Sequence, residues 1–346
     1  MQIQIQTFTV NKRFPLTISR GTTTHTTNVW VRIQHDGVEG WGEASPFSIG
    51  KHSQTSEVIV AELQAAVPHL QPFSPFDQQA IEQLCRSLPS AARTAIDLAL
   101  HDWLGKKVGL PLWQLWGLDR ARIVPTSVTI GISSPAAAQQ RMLDWLQVTP
   151  VKAVKVKLGS PAGVAADQAM LLAVKEVAPT DAKLSIDANG GWSLEDAIAL
   201  SYWLADQGVT YIEQPLPAGQ EQDLPTLYRQ SPLPIFVDES CFTSSDIPAL
   251  SDRVHGINIK LMKSGGLTEA LRMVHTAQAH GLQIMLGCYS DSILSNTAAA
   301  HLAPFAEHLD LDSHLNLIDD PFAGAMMQNG YLLPTDLPGL GVRLAS

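Results

Sequence analysis

Short apolar runs that end in a charged or turn residue recur through the second half of the chain. From Arg122 onward, eight such segments alternate with stretches whose apolar residues recur at helical spacing. The segments read PTSVTIGI, AVKVKL, AKLSIDAN, VTYIEQP, PIFVDES, INIKLM, LQIMLGC and HLDLD. Strands that alternate with helices are typical of parallel βα units. Eight such units predict an α/β fold of the (β/α)8-barrel type.

The first part of the chain has a different pattern. Residues 1–50 alternate polar and apolar positions, and Asp36-Gly37 marks a hairpin turn. From Ser56 to about Gly105, apolar residues recur at helical spacing. Strands followed by helices predict a separate α+β domain. We expect a capping domain at 1–120, a catalytic barrel at 121–318, and a C-terminal segment at 319–346 that packs on the capping domain.

Composition narrows the class of protein. The chain has 346 residues, of which 45% are hydrophobic, so it can bury a sizeable core. The net charge of −10 and the lack of a basic run argue against nucleic acid or an anionic membrane as a partner. The start, MQIQIQTFTV, is typical of an edge strand rather than a signal peptide. No apolar stretch approaches the roughly 20 residues that span a membrane. The three scattered cysteines favour a reducing cytoplasm over a disulfide framework.

Three carboxylates stand at the ends of consecutive barrel strands. Asp187, Glu213 and Asp238 lie 26 and 25 residues apart, about the length of one strand–helix unit. One such acid alone is more often a helix N-cap or a surface charge, but three in register predict a shared site at the barrel mouth. Oxygen-only ligands favour a hard cation, and the sequence has no HxxH, HExxH or Cys pair that would suit zinc. The pattern therefore predicts Mg²⁺.

Lysines accompany these acids. In AVKVKL, Lys155 and Lys157 share one strand face and the valines share the other, which suits packing against helices. A lone K-x-K motif more often belongs to a solvent-exposed edge strand. Here the flanking valines and the strand pattern predict that the lysines point toward the barrel interior. Nearby cations lower the pKa of a lysine from about 10.4 and make it a better base. Lys260 ends a strand on the opposite side of the barrel. Two lysines that address both faces of one carbon predict a 1,1-proton transfer through an enediolate.

These motifs resemble the enolase superfamily, in its muconate-lactonizing subgroup, and most closely the dipeptide epimerases typified by L-Ala-D/L-Glu epimerase. The resemblance covers nearly the whole chain. It rests on GWGEASP, KVK, DANGGW, EQP, DES, KLMKSGG, DLD and PGLGV. A Lys or His base beside Mg²⁺ is the known pairing of that superfamily. The resemblance implies a Mg²⁺-dependent isomerase that inverts the α-carbon of the C-terminal residue of a dipeptide.

Roles for individual residues follow from the resemblance. It implies Mg²⁺ ligation by Asp187, Glu213 and Asp238, and acid–base catalysis by Lys157 and Lys260. It places Lys155 beside Lys157, where it lowers the pKa of Lys157 and binds the metal-bound carboxylate of the substrate. It places Asn189 and Gln214 near the metal rather than on it.

The resemblance also implies contacts with the substrate. Asp310 and Asp312 match the D-x-D element at the end of the eighth strand, which holds the α-ammonium of the dipeptide. Thr129 is a substrate contact on the first strand. Arg20 lies in the loop whose arginine recognises a glutamate side chain. Asp291, where relatives often carry Glu, either orients Lys260 or recognises a cationic side chain. Barrels of this family often assemble as homo-oligomers.

Other interpretations share parts of this pattern. o-Succinylbenzoate synthase, N-acylamino acid racemase and muconate cycloisomerase use the same scaffold. Their substrates lack a free α-ammonium, so the pair Asp310 and Asp312 argues against them. That pair has a second interpretation, as a helix N-cap cluster. A Schiff-base aldolase of barrel fold would use one lysine as a nucleophile and need no metal. A non-catalytic ligand-binding relative would need neither lysine.

Overall fold

The computed structural model describes residues 1–18, 21–49 and 52–345. The chain begins with a three-stranded antiparallel sheet, followed by a short hairpin. The strands are β1 (Gln2–Ile18), β2 (Gly21–His35) and β3 (Val38–Ala44), then β4 (Phe47–Ile49) and β5 (His52–Gln54). Asp36 and Gly37 have φ angles of 50° and 73° and form the tight turn between β2 and β3. The hairpin turn expected at Asp36-Gly37 is present.

Helices α1 (Ser56–Leu70), α2 (Gln78–Cys85) and α3 (Ser90–Val108) follow the sheet, and the short α4 (Leu112–Leu115) leads to the barrel. Helix α3 approaches β3 so closely that a Cβ at Gly40 or Gly42 would overlap the carbonyl oxygens of Ala99 and Ala95. The glycines of the GWGEASP motif therefore allow the helix to lie directly on the sheet.

Eight parallel strands form one sheet in chain order. They are β6 (Val128–Ile130), β7 (Ala153–Lys157), β8 (Lys183–Asp187), β9 (Val209–Glu213), β10 (Ile235–Val237), β11 (Gly256–Lys260), β12 (Gln283–Gly287) and β13 (His308–Asp310). A bridge between Thr126 and Leu309 brings the first and last strands together. The prediction of a (β/α)8-type barrel with an N-terminal α+β domain is confirmed.

Helices surround this sheet. They are α5 (Pro135–Val148), α6 (Val164–Val177), α7 (Leu194–Asp206), α8 (Leu224–Gln230), α9 (Ile247–Leu250), α10 (Leu261–Ser264), α11 (Leu267–Ala279) and α12 (Ile293–Leu302). Val154 and Val156 of β7 belong to the apolar core that these helices share with the sheet. Burial of each such side chain contributes about 1.5–3 kcal/mol. The alternation along β7 leaves Lys155 and Lys157 on the other face, where both are buried. None of the helices in the described part of the chain combines the length and apolarity that a bilayer crossing requires.

The C-terminal segment contacts the N-terminal domain. Its strands are β14 (Phe322–Ala323), β15 (Met326–Gln328), β16 (Tyr331–Leu333) and β17 (Arg343–Leu344). Asp319 accepts hydrogen bonds of 2.7 Å from the backbone N and Nδ2 of Asn11. The backbone N of Leu340 donates to Asp102 at 2.8 Å. The ring of Phe322 lies 5.7 Å from that of Trp41. The boundaries at residues 120 and 318 stay predictions.

Candidate active site

Three carboxylates stand at the ends of neighbouring strands, at the C-terminal mouth of the barrel. Asp187 ends β8, Glu213 ends β9, and Asp238 directly follows β10. Asp187 and Glu213 are register partners, and Glu213 pairs in turn with Phe236 on β10. All three acids are buried. Burial, followed by the nearby charge of Asp187, raises the pKa of Glu213. The strand register therefore places these acids on neighbouring strand ends.

Two lysines flank the carboxylates from opposite sides. Lys157 Nζ lies 2.5 Å from Asp187 Oδ2, and Lys260 Nζ lies 2.8 Å from Asp238 Oδ2. These lysines end β7 and β11, the second and sixth strands of the eight. In a closed barrel those positions are diametrically opposed. The space above the carboxylates is therefore bordered by an ammonium group on each side.

Lys155 is buried between two acids. Its Nζ lies 2.5 Å from Glu213 Oε2 and 2.6 Å from Asp310 Oδ2. Burial alone would lower the pKa of Lys155, but the Asp310 and Glu213 carboxylates raise it well above its ordinary value. Asp238 raises the pKa of Lys260 in the same way, against the effect of burial. Both shifts run opposite to the lowering expected among cations, because carboxylates are the nearest charges in this structure.

Lys263 and Asn258 were not assigned a role from the sequence. Lys263 Nζ donates to Asp238 Oδ1 at 2.6 Å and to the Asp238 carbonyl at 2.5 Å. Asn258 Nδ2 donates to Glu213 Oε1 at 2.6 Å. Asn258 shares the inward face of β11 with Lys260, so the alternation of INIK could have indicated it. Lys263 lies on α10, where strand alternation gives no signal.

The donor atoms suit a hard divalent cation. In the part of the chain that the structure describes, no three His, Cys, Asp or Glu side chains are gathered as a metal-binding cluster. The acids instead accept hydrogen bonds from the lysines. Two amide oxygens near them, Asn189 Oδ1 and Asn258 Oδ1, are buried without a hydrogen-bond partner. Carboxylate and amide oxygens are the ligands that Mg²⁺ and Ca²⁺ prefer, so the residues present fit such an ion.

A separate pair of acids, Asp310 and Asp312, lies at the end of β13. Asp310 Oδ1 accepts hydrogen bonds from Ser127 Oγ at 2.7 Å and Thr129 Oγ1 at 3.2 Å. Asp312 Oδ2 accepts one from the Thr129 backbone N at 2.7 Å. Burial disfavours the ionised form of Asp310, but Lys155 lowers its pKa to about 2. Burial, and then the charge of Asp310, raises the pKa of Asp312 to about 7. A cation placed beside this pair would favour ionisation of Asp312.

A small cavity of about 60 Å³ links this pair to the catalytic lysine candidate. Lys157, Asp310 and Asp312 line it, together with polar and apolar groups that include Lys12, Leu16, Thr129, Trp145 and Leu317. Lys12 comes from β1, and its Nζ donates to Thr23 Oγ1 at 2.7 Å. The N-terminal domain therefore forms part of the cavity wall, which the strand pattern of the barrel could not indicate.

Asp291 lies against the N-terminal domain. It accepts a short hydrogen bond from Ser45 Oγ and one of 3.3 Å from the Tyr289 backbone N. Burial, and then the charge of Glu43, raises the pKa of Asp291 to about 7. Among the described residues, no hydrogen bond joins Asp291 to Lys260, but the charge of Lys260 acts on the pKa of Asp291, and both expectations for Asp291 stay predictions. Arg20 lies outside the described residues.

Comparisons with known proteins agree with this arrangement. Residues 2–117 match the N-terminal domain of the mandelate racemase/muconate lactonizing enzyme family, and residues 136–346 match the enolase C-terminal domain-like family. The chain belongs to the mandelate racemase/muconate lactonizing enzyme family. The prediction of an enolase-superfamily chain similar to dipeptide epimerases is thereby confirmed.

Relatives in this family share the whole length of the chain. A hydrophobic dipeptide epimerase of Flavobacteria bacterium (strain MS024-2A) is 44% identical over 347 residues, which cover 99% of this chain and 98% of the relative. An L-Ala-D/L-Glu epimerase of Bacteroides thetaiotaomicron is 36% identical, with 99% and 88% covered. A solved structure of a dipeptide epimerase from Cytophaga hutchinsonii, complexed with Mg and D-Ala-L-Val, superposes with a TM-score of 0.93. It is 29% identical, with 99% of this chain and 95% of that one covered.

Proposed function

We propose that this member of the family is a Mg²⁺-dependent dipeptide epimerase that inverts the α-carbon of the C-terminal residue. One observation carries the proposal. Lys157 and Lys260 border a group of three buried carboxylates from opposite sides of the barrel. A proton transfer that inverts a carbon needs a base on one face and an acid on the other.

The three carboxylates are the candidate metal ligands. Asp187, Glu213 and Asp238 would hold Mg²⁺, as the oxygen donor set and the Mg-bound relative from Cytophaga hutchinsonii support. Mg²⁺, when bound, supplies positive charge that draws in a substrate carboxylate and makes the neighbouring α-proton more acidic. Lys155 and Lys263 donate to Glu213 and Asp238, and so hold these side chains in position.

The two flanking lysines would move the proton. The neutral amine of one lysine takes the α-proton, which leaves an enediolate on the substrate. The ammonium of the other lysine then returns a proton to the opposite face. Because Lys157 and Lys260 exchange roles for the opposite epimer, both directions of the reaction use the same two side chains.

The acidic pair at the end of β13 would recognise the substrate's other end. Asp310 and Asp312 offer negative charge to the α-ammonium of the dipeptide, while Thr129 orients Asp312 through its backbone N. The substrates of o-succinylbenzoate synthase, N-acylamino acid racemase and muconate cycloisomerase lack that ammonium. This pair therefore favours a dipeptide over the substrates of the alternative activities on the same scaffold.

We further propose that apolar side chains are preferred. Two relatives at 44% identity are named hydrophobic dipeptide epimerases. Leu16, Trp145 and Leu317 supply an apolar part of the cavity wall. Recognition of a glutamate side chain by Arg20, and of a cationic one by Asp291, stay predictions.

Proton NMR of L,L-dipeptides incubated with Mg²⁺ tests the function. Resonances of the L,D epimer should appear and approach an equilibrium mixture. A library that includes Ala-Glu, Leu-Leu and Ala-Lys also tests the apolar preference. Conversion of an N-acylamino acid, with every free dipeptide left unchanged, would contradict the proposal.

A further inference from the structure

A cavity of about 390 Å³ lies between the N-terminal domain and the barrel, and none of the candidate active-site residues lines it. Helices α2 and α3 form one wall, and α10 and α11 form the other. The residues that matter for its chemistry are Glu82, Arg86, Arg93, Asp97, Ser264, Glu269 and Arg272. The volume is within the range of sites that hold small organic molecules.

The acids of this cavity are already engaged. Both carboxylate oxygens of Glu82 accept from Arg272, at 2.5 and 2.7 Å. Both oxygens of Asp97 accept from Thr268, at 2.5 and 3.1 Å. Glu269 accepts from the backbone N and Oγ of Ser244 at 2.8 and 2.7 Å, and from Arg272. These contacts neutralise Arg272, whereas Arg86 and Arg93 interact with Glu82 through charge and without a hydrogen bond.

Two donors in the same cavity have no partner. Arg93 Nε is buried and makes no hydrogen bond, and Arg93 forms no ion pair among the described residues. Ser264 is fully buried, and its Oγ also makes no hydrogen bond. A buried donor that stays unpaired costs about 1–3 kcal/mol. Two such donors, one on each wall of the cavity, therefore require an explanation.

The Arg93 side chain lies close to the residue that follows Ser264. A Cβ added at Gly265 would lie 3.0 Å from Arg93 Nη2 and 3.1 Å from its Nε. The guanidinium of Arg93, on α3, therefore rests against the backbone directly after Ser264, at the end of α10. Arg86, which is exposed at the rim, adds a second cation without an ion-pair partner among the described residues. This arrangement combines a planar cation, a hydroxyl donor and a further positive charge around one space.

We propose that this cavity binds a small anion, through a carboxylate or phosphate group that accepts hydrogen bonds from Arg93 and Ser264. Guanidinium groups bind these anions in a two-pronged geometry, and a neighbouring hydroxyl supplies a third hydrogen bond. The ligand connects α3 of the N-terminal domain to α10, which begins immediately after Lys260. Binding of the anion therefore stabilises the contact between the N-terminal domain and the barrel, near the strand end that carries Lys260.

Isothermal titration of the Mg²⁺-free protein with inorganic phosphate and with succinate tests the proposal and separates the two classes of anion. Binding of at least one probe is expected at millimolar concentrations or below. Arg93→Gln and Ser264→Ala should each weaken it, roughly tenfold or more for the arginine variant. Arg343→Gln, which removes an exposed arginine elsewhere, is the matched control for charge and should bind as the wild type does.

Three results would overturn the proposal. The first is the absence of binding by either probe. The second is binding that Arg93→Gln and Ser264→Ala both leave intact, which would place the anion elsewhere, for example among the lysines of the barrel mouth. The third is an equal loss in Arg343→Gln, which would indicate a general charge effect. Thermal melting of each variant without anion checks its fold, and Ser264→Ala gives a result even where Arg93→Gln does not fold.

Discussion

Lys157 and Asp187 are register partners at the ends of β7 and β8, and Lys157 Nζ lies 2.5 Å from Asp187 Oδ2. A proposed base and a proposed metal ligand are therefore in direct contact. A direct contact of the same kind joins Lys260 Nζ to Asp238 Oδ2 across the barrel, at 2.8 Å. Metal binding and proton transfer in this protein are thus expected to depend on each other, because the same carboxylates interact with both.

Glu213→Gln should weaken Mg²⁺ binding by more than roughly 100-fold, because it removes the charge of the central acid of the three. Isothermal titration with Mg²⁺ measures this directly, without any assay of activity. Glu195→Gln, which neutralises an exposed acid on α7, serves as the control. Equal Mg²⁺ affinity in Glu213→Gln and wild type would contradict the assignment of the metal ligands.

Asp312→Asn should lower kcat/KM for free dipeptides by roughly 10- to 100-fold. The substitution keeps the acceptor oxygen for the Thr129 backbone N but removes the charge offered to an α-ammonium. An N-acetylated dipeptide, which has no such ammonium, provides the comparison. If the variant loses the same factor on both substrates, Asp312 has a structural role rather than a role in recognition.

The charge of Asp291 should make stability depend on pH. Burial, and then the charge of Glu43 on β3, raises the pKa of Asp291 to about 7, and Lys260 on β11 opposes this only weakly. In the unfolded chain, the pKa of an aspartate is about 3.9. Between these two pKa values, Asp291 is protonated in the folded state and ionised in the unfolded state. The contribution of Asp291 to the free energy of unfolding therefore falls as pH rises from about 4 to about 7.

Asp291→Asn removes this dependence. The variant should therefore gain stability relative to wild type across that interval, by up to about 4 kcal/mol. Urea unfolding of both proteins at about pH 4.5 and about pH 8 measures the difference. A constant difference between the two proteins at both pH values would contradict the expected titration.

Gly42→Ala should destabilise the N-terminal domain. The added Cβ would overlap the carbonyl oxygen of Ala95, so α3 must move away from β3. Such overpacking costs about 1–3 kcal/mol or more. A lower midpoint of urea unfolding is the expected result, and an unchanged midpoint would show that the helix adjusts without strain.

The parts of the site that lie on strands could be predicted from the sequence. Strand alternation and the recurring length of one βα unit placed Asp187, Glu213 and Lys157 together at the barrel mouth, because parallel strands end at the same edge. Contacts made from outside the strands could not be predicted in this way. Lys263 reaches Asp238 from a helix, and Lys12 reaches the cavity from β1.

The electrostatics were also beyond the sequence pattern. From the sequence, the other lysines and a metal ion were expected to lower the pKa of each lysine. In the structure, the carboxylates that contact Lys155 and Lys260 raise the pKa of each. The direction depends on which charge is nearest, and only the three-dimensional packing sets that. For Asp291, the nearest partner, Ser45, is distant in sequence and lies on the N-terminal domain.

Exchange of the α-proton in D₂O tests the central claim most directly. With Mg²⁺ and an apolar L,L-dipeptide, the wild type should produce both epimers, each carrying one deuterium at the C-terminal α-carbon. Lys157→Ala and Lys260→Ala should each lose epimerisation by roughly 10²- to 10⁴-fold, while the remaining lysine still exchanges the proton of a single epimer. Mass spectrometry and NMR distinguish these products. Epimerisation at the wild-type rate in both variants would contradict the two-lysine account.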